Sequence, residues 1–436
     1  MTDRFDADVV VAGAGVAGLI AGRGLAETGL RVVLLEAAER VGGRVHTIRP
    51  LGSELAVELG AEFVHGRPAE LLALIEEAGL TLTEREGQFF QFENGRLSAA
   101  QWDDSAFDVL EELPEEGDRT FAEFIAEKKL PAEVAARITG YVEGFNAADA
   151  RVIGTAGLRK QQQAEDAIEG YRSFRIVEGY DRVPLFVRDR FLAAGGSLHL
   201  NTEVTRIEWK RGEVRVQTAN AATPEVRAPK AVIALPLGVM QAGTVKISPM
   251  PEVAEGAIRK LAMGAATRIT MVFRKRLWET TGPGLGAALG AAPELNFLFA
   301  RSEAVPVWWS SSQDAAVLTG WLGGPRAAAG PVGEALRDVA MTALGNVFAR
   351  DDLDELLMGW YTHDWQSDPL SRGAYSYAPA GAAQASEVLA EPIEDTLYFA
   401  GEHTDTTGHW GTVHAAVRSG LRVVGQIRKQ PLGISH

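Results

Sequence analysis

Along the first fifty residues the chain alternates between two kinds of apolar run. ADVVVAG is an unbroken β-branched stretch, the pattern of a strand buried on both faces. GAGVAGLIAGRGLAETG mixes small and apolar residues and reads as a helix closed by Gly29, and RVVLLEA is a second buried strand. Together they predict a βαβ unit opening at residue 7. Further on, QFFQFENGRL places an Asn94-Gly95 turn between apolar flanks, a hairpin signal. Thr120 and Glu123 fit a capping box that starts the helix FAEFIAEKK, which stops before Pro131. SLHLNTEVTRIEWKRGEVRVQT alternates like two antiparallel strands, and KAVIALPLG reads as another buried strand. In RITMVF, Ile269, Met271 and Phe273 share one face while Arg268 and Thr270 share the other. TLYFAG is a strand that delivers the crowded loop GEHTDTTGHWGTVHAAVRSGLR and a helix of small residues behind it. No internal repeat and no low-complexity linker interrupts the series.

Composition narrows the class. The chain has 436 residues, 46% apolar and 23% charged, the balance of a globular enzyme of two domains. A formal net charge of −15 argues against nucleic-acid binding, which calls for a basic patch, and is compatible with drawing in cationic substrates. The acidic stretch from Asp103 to Asp118 reads as a solvated face. No window approaches ~18 uninterrupted apolar residues, so no membrane-spanning helix is expected. Cysteine is absent, which removes disulfides, thiolate nucleophiles and thiolate metal sites, and no metal site is expected. The opening MTDRFDADVVVAGAG lacks the basic start and cleavage site of a signal peptide, so the expected location is cytoplasmic.

The chemistry begins at Gly13, Gly15 and Gly18. A lone G-x-G-x-x-G says little, but this one follows a strand, opens a helix and precedes RVVLLEA, which ends at Glu36. The first glycine permits the tight turn, the second lets the backbone approach a pyrophosphate, and the third packs helix on sheet. The positive helix end faces the phosphates, and Glu36 suits a ribose without a 2′-phosphate. Gly42 and Gly43 in ERVGGRVHT allow a second close approach, and Arg44 offers a two-pronged fork to phosphate. Both contacts on one pyrophosphate favour FAD over NAD. Such sequence recurs in the middle and at the end of the chain. The expected fold is therefore α/β (α+β overall): a Rossmann-type FAD-binding domain from 1–70, 195–250 and 385–436, interleaved with a mixed-sheet and helical substrate domain from 71–194 and 251–384.

These motifs, with VELGAEFVHG, EGYDRVP, NTEVTRI, ALPLGVM, MGAATRITMVFRKRLW, DPLSRGAYSYAPAG and GEHT…TVHAA, resemble the flavin-containing amine oxidases. That superfamily includes polyamine oxidases, monoamine oxidases and lysine-specific histone demethylases, and the resemblance runs through essentially the whole chain. It implies that Val204 lies on the strand holding the adenine. Gly401 and Glu402 would meet the ribityl and phosphate part of FAD. Thr412 and Val413 would lie under the pyrimidine end of the ring, and Gly60 and Ala61 would back the ring elsewhere. The compact C-terminal loop would close over the flavin; His409 and Trp410 in it are left without a role.

On the substrate side the resemblance gives Trp365 and Tyr375 as aromatic walls beside the flavin, with Thr412 where monoamine oxidases carry a second tyrosine. His65 matches a histidine near the substrate in polyamine oxidases. Arg268 replaces the family's usual lysine; arginine does not act as a base, which puts reoxidation by O2 in question. FAD is expected to be non-covalent, since there is no cysteine to link it. Chromatin is not expected as a partner, because the chain has no coiled-coil insertion. The function implied is an FAD-dependent oxidase of a polyamine or other substituted amine, with O2 as partner and peroxide as product. Two alternatives are a flavin desaturase or double-bond isomerase, and a flavin-binding protein without turnover. The sequence is silent on oligomeric state.

Overall fold

The computed structural model describes residues 5–50, 52–100, 108–278, 295–310 and 315–429. At its centre is a five-stranded parallel sheet. Its order is Ser197–His199, Val32–Leu35, Val9–Ala12, Lys230–Ile233, Leu397–Phe399, with Val9 opposite both Val32 and Lys230. The β-branched run has no polar face because both faces are covered. Val9 and Val11 pack into one apolar cluster with the helices Val16–Ala26, Arg182–Ala193 and Val413–Arg428. Val10 and Ala12 point the other way, into a cluster shared with the strands Val204–Lys210 and Glu213–Thr218.

One expectation needs correcting here. The stretch from Ser197 to Thr218 is three strands rather than two. Val204–Lys210 and Glu213–Thr218 do form the antiparallel pair, but Ser197–His199 leaves it and becomes the edge of the parallel sheet beside Val32–Leu35. Thr202, buried and bonded to the Glu36 carbonyl through its N–H at 2.7 Å, lies between the two sheets.

A second sheet of seven strands carries the other half of the molecule, in the order Leu357–Tyr361, Ala266–Phe273, Val317–Gly323, Val307–Ser310, Leu295–Phe299, Gln88–Glu93, Arg96–Ala99. The Asn94-Gly95 hairpin joins the last two, with φ of 52° and 72° at its turn residues, as a two-residue hairpin loop requires. Ile269, Met271 and Phe273 face the core under the helix Gly333–Phe348. Arg268 and Thr270 take the opposite face as the alternation predicts, yet they too are buried, because that face closes a cavity instead of meeting water.

The helix Phe121–Lys128 packs in one apolar cluster with Ala132–Asn146 and Thr155–Asp166, and the latter two line this cavity. The first starts with the anticipated reciprocal cap: Glu123 N–H donates to Thr120 Oγ1 and Thr120 N–H to the Glu123 carboxylate. Of the acidic stretch, residues 103–107 lie outside the described residues. Glu111, Glu112, Glu115 and Glu116 are exposed, whereas the Asp118 carboxylate accepts the N–H groups of Ala156 and Gly381 and ties two segments together. Among the described residues no helix is long and apolar enough to cross a membrane, and no group of three or more His, Asp or Glu side chains is placed to hold a metal ion.

Candidate active site

The strand Val9–Ala12 ends in Gly13, whose φ of 101° turns the chain sharply into the helix Val16–Ala26. A side chain at Gly18 would lie 2.0 Å from the Gly13 carbonyl oxygen, so only glycine lets this helix sit on the sheet. Gly15 is different. It is the helix N-cap, no side chain caps the helix there, and a Cβ built on it would meet nothing within 4 Å. The first-turn N–H groups thus open onto empty space at the positive end of a helix, an arrangement that suits an anion.

That space is one cavity of about 1930 Å³. Pockets for drug-sized ligands run to roughly 300–1,000 Å³, so there is room for a dinucleotide and a substrate together. All the residues expected to meet cofactor or substrate line it except Gly18, which packs behind the turn; Trp410 lines it too, and His409 does not. Glu36 sits at one end, its oxygens accepting the N–H groups of Ala14 at 2.7 Å and Ala38 at 2.8 Å. Burial raises its carboxyl, and those N–H groups work against the rise. The Gly42–Gly43 turn is pinned beside the first one by the Gly42 N–H to Ala14 carbonyl bond, 2.8 Å. The glycine cradle, the uncapped helix end and the carboxylate fit a dinucleotide such as FAD.

Arg44, expected at a phosphate, spends Nη1 on the Glu402 carboxylate at 2.9 Å and on the Ala374 carbonyl at 2.8 Å. Glu402 also accepts from Ser376 Oγ at 2.6 Å and from the Gly411 N–H at 2.9 Å. Burial alone would raise its carboxyl; the Arg44 charge and the Ser376 hydroxyl outweigh this and hold it below the usual range. Glu402 is therefore a buried anion that organises the loop. The rest of that loop turns around Asp405, whose carboxylate accepts the N–H groups of Thr407, Gly408 and His409. Trp410 Nε1 donates to the Asp405 carbonyl, and the His409 ring bonds the Ala164 carbonyl at 2.9 Å and Thr407 Oγ1 at 2.9 Å. These contacts give His409 and Trp410 their role: they hold the loop closed. Thr412 caps the helix Val413–Arg428, accepting the Ala415 N–H at 3.1 Å and donating to the His409 carbonyl at 2.7 Å. Its hydroxyl is thereby committed to the backbone.

The aromatic walls are fixed in the same way. Trp365 donates Nε1 to the Leu59 carbonyl at 2.8 Å and lies over Gly60, where a Cβ would be 3.2 Å from the indole and 1.9 Å from the Arg44 carbonyl oxygen. Tyr375 donates its hydroxyl to the Phe145 carbonyl at 2.7 Å and packs on Gly411, and burial pushes its phenol well above the ordinary value. His65 stands edge-on to Phe63 and Phe145, and burial lowers its imidazole to about 4. It is neutral near pH 7.

Beside these walls lies a buried charge pair that the sequence did not suggest. Arg268, 3% exposed, donates to Glu62 Oε2 at 2.8 Å and to the Gly60 carbonyl at 2.8 Å. Trp309 Nε1 donates to the same Glu62 oxygen at 3.1 Å, and Arg175 approaches the other at 3.5 Å. Burial pushes the Glu62 carboxyl up, but Arg268, Arg175 and Arg85 together hold it below the ordinary range. Arg268 is thus an anchor for the turn that carries Gly60. Glu62 stands inside the quoted GAEFVHG motif, yet its partner is 206 residues away, a distance over which local pattern carries no signal.

Five histidines make the fold acid-sensitive. Burial lowers His46, His65 and His403 to about 4 and His414 to about 2, from an ordinary 6.5, and it lowers His409 as well. Between the two values the unfolded chain binds protons that the folded chain refuses, so stability is whole above about pH 6.5 and is lost as pH falls towards 4. Each such group contributes a slope of up to about 1.4 kcal/mol per pH unit in that window. Thermal melts across it should show a falling midpoint, and His403→Gln should flatten the fall. An unchanged slope would show that His403 is not held neutral.

Comparison with known proteins agrees with this geometry. The chain belongs to the flavin-containing amine oxidoreductase family, whose model matches residues 16–428. It is 30% identical to polyamine oxidase 2 of Arabidopsis thaliana and 29% identical to polyamine oxidase 3 of Oryza sativa subsp. japonica. The alignments cover 97% of this chain in both cases, with 88% and 89% of those proteins. In fold it is similar to cyclohexylamine oxidase from Brevibacterium oxydans, with a TM-score of 0.81 at 20% identity over 97% of this chain and 99% of that one. The protein is a flavin-dependent amine oxidoreductase. Neither the desaturase or isomerase alternative nor the non-catalytic one is favoured by these matches.

Proposed function

We propose that this member of the flavin-containing amine oxidoreductases binds FAD non-covalently and oxidises a polyamine or similar substituted amine at the carbon next to nitrogen. The observation that carries this reading is the single cavity running from the uncapped helix end at Gly15 to the chamber walled by Trp365, Tyr375 and His65. The division into an FAD-binding unit (1–70, 195–250, 385–436) and a substrate unit (71–194, 251–384) is the corresponding proposal for the domains.

Gly13, Gly15, Glu36, Gly43 and Val204 would hold the nucleotide, and Gly60, Ala61, Gly401, Glu402, Thr412 and Val413 the ring end. A bound flavin supplies the acceptor for the hydride that leaves the substrate carbon. The chain supplies position and dryness. Tyr375 and Trp365, each locked by a hydrogen bond to backbone, orient the carbon–nitrogen bond and exclude water. His65, with its proton affinity lowered by burial, accepts a hydrogen bond from the substrate nitrogen and does not store its proton, so the amine reacts in its neutral form. The imine product hydrolyses to an aldehyde, and the electrons pass to O2 as peroxide. Arg268, bound to Glu62, fixes the wall of the chamber and takes no proton.

Acid precipitation of the purified yellow protein should release FAD into solution, and a panel of polyamines and monoamines should reveal peroxide-forming substrates among the former. A flavin that stays with the precipitate would refute non-covalent binding. Peroxide from monoamines alone would refute the substrate class.

A further inference from the structure

Three short strands set a cation beside the chamber. Val64–His65 and Leu82–Glu84 pair with opposite edges of Ser173–Ile176, so Arg85, one residue past the second of them, comes back towards His65. Its N–H donates to the Ser173 carbonyl at 2.8 Å and its Nη2 to the Asn296 carbonyl at 2.9 Å. The guanidinium lies over two rings, 4.6 Å from the centre of Phe63 and 4.4 Å from that of Phe297. Both rings line the cavity, and Arg85 does not. Phe63 is in turn 5.8 Å from the His65 ring, so the charge acts on the imidazole over no more than about 10 Å.

A phenyl face draws an ammonium by its electron density, but the cation on these two rings is already Arg85. An ammonium on the cavity side of Phe63 or Phe297 meets a like charge through the ring. The surroundings add to this. Arg85, Arg175 and Arg268 gather on the single carboxylate of Glu62, so the charge there sums to an excess of positive. We propose that Arg85 is a positioning residue for the proton: its charge, held on the far side of Phe63 and Phe297, makes the chamber hostile to an ammonium and so sets the pH at which a bound amine reacts. The inference rests on the amine-oxidising reading and assigns control of protonation in it to a group that touches no substrate.

His65 already registers this charge: burial lowers its imidazole to about 4, and Arg85 is the next cause. Arg85 itself stays charged, because burial lowers it only to about 10 while Glu62 opposes the fall. The other groups nearby do not offset it. Glu84, on the adjoining strand, is bound by Arg172, with Arg67 close by, and Glu86 is exposed. Glu58 is raised to about 7 by burial and is bonded to the Thr47 hydroxyl and the Tyr180 N–H. His414, within reach of His65 from the helix Val413–Arg428, is neutral.

The test pairs Arg85→Gln, which removes the charge, with Arg85→Lys, which keeps it; Arg85→Met replaces the first if that variant does not fold. In FAD-loaded protein, the limiting rate of anaerobic flavin reduction by spermidine is followed against pH. Its acid limb should move about one unit to higher pH in Arg85→Gln, the effect of one charge at roughly 10 Å in an effective dielectric constant of about 20. Without that charge the amine holds its proton more tightly, and a higher pH is needed to free the same fraction. Below the limb the rate should fall about tenfold, and above it the variant and the wild type should agree within about twofold. Arg85→Lys should keep the limb in place. Hexyltrimethylammonium, which has no proton to give up, should bind about tenfold more tightly to Arg85→Gln than to the wild type, and neutral 1-octanol equally to both. A rate that falls equally at all pH, a limb that stays in place, or one that Arg85→Lys moves as far as Arg85→Gln would overturn the role of Arg85. If spermidine and hexylamine both leave the wild-type flavin oxidised, the amine-oxidising reading fails, and the ammonium-binding comparison still decides whether Arg85 repels a cation.

Discussion

Gly15→Val is expected to yield a folded, colourless protein. The Gly15 backbone has φ −65° and ψ 175°, an extended conformation open to any residue, and a Cβ there meets no protein atom within 4 Å. The apo protein should therefore melt as the cofactor-free wild type does. The branched side chain instead fills the space in front of the first-turn N–H groups, where a pyrophosphate would lie. Titration of the apo protein with FAD should show affinity reduced by at least about 100-fold, equivalent to about 3 kcal/mol. Gly18→Val is the contrast, because its Cβ would sit 2.0 Å from the Gly13 carbonyl oxygen and it should fail to fold. If Gly15→Val binds FAD as the wild type does, the anion site is not at this helix end.

The largest loss of stability is expected from Glu62→Gln. Arg268 is buried, and Glu62 is its only carboxylate partner among the described residues; the Gly60 carbonyl and Thr270 hydroxyl supply its other bonds. Removing one member of such a pair leaves an uncompensated charge and costs about 3–5 kcal/mol. Replacing both with apolar residues, as in Glu62→Leu with Arg268→Met, should recover part of that loss, because the buried Arg268 charge leaves with its partner, while Arg175 and Arg85 still lose the Glu62 anion. Denaturant unfolding of the two single variants and the double variant measures the coupling. Amine oxidation should fall in all three, since Arg268 fixes the Gly60 turn against Trp365. A Glu62→Gln protein as stable as the wild type would show that the pair does not carry the charge balance assigned to it.

The parts of the fold written in local pattern were legible in the sequence. Val9–Ala12 with its glycine turn, the Thr120–Glu123 cap and the Asn94-Gly95 hairpin all depend on residues within a few positions of one another. Ser197–His199 was misassigned because three alternating residues fit either sheet, and its neighbour Val32–Leu35 lies far back in the chain. The faces of Ala266–Phe273 followed from alternation, but not the burial of Arg268, which depends on Glu62 and Gly60 arriving from the N-terminal part. His409 and Trp410 gave the opposite case: conspicuous in sequence, they serve the loop around Asp405.

What matters most is whether the cavity brings an amine to a reducible flavin. The direct measurement is anaerobic mixing of the FAD-loaded protein with a polyamine while the absorbance of oxidised flavin is followed. The expected result is loss of the yellow colour at a rate that saturates with amine concentration, with one aldehyde formed per flavin. A protein that binds FAD firmly and keeps it oxidised in the presence of every amine tried would contradict the account.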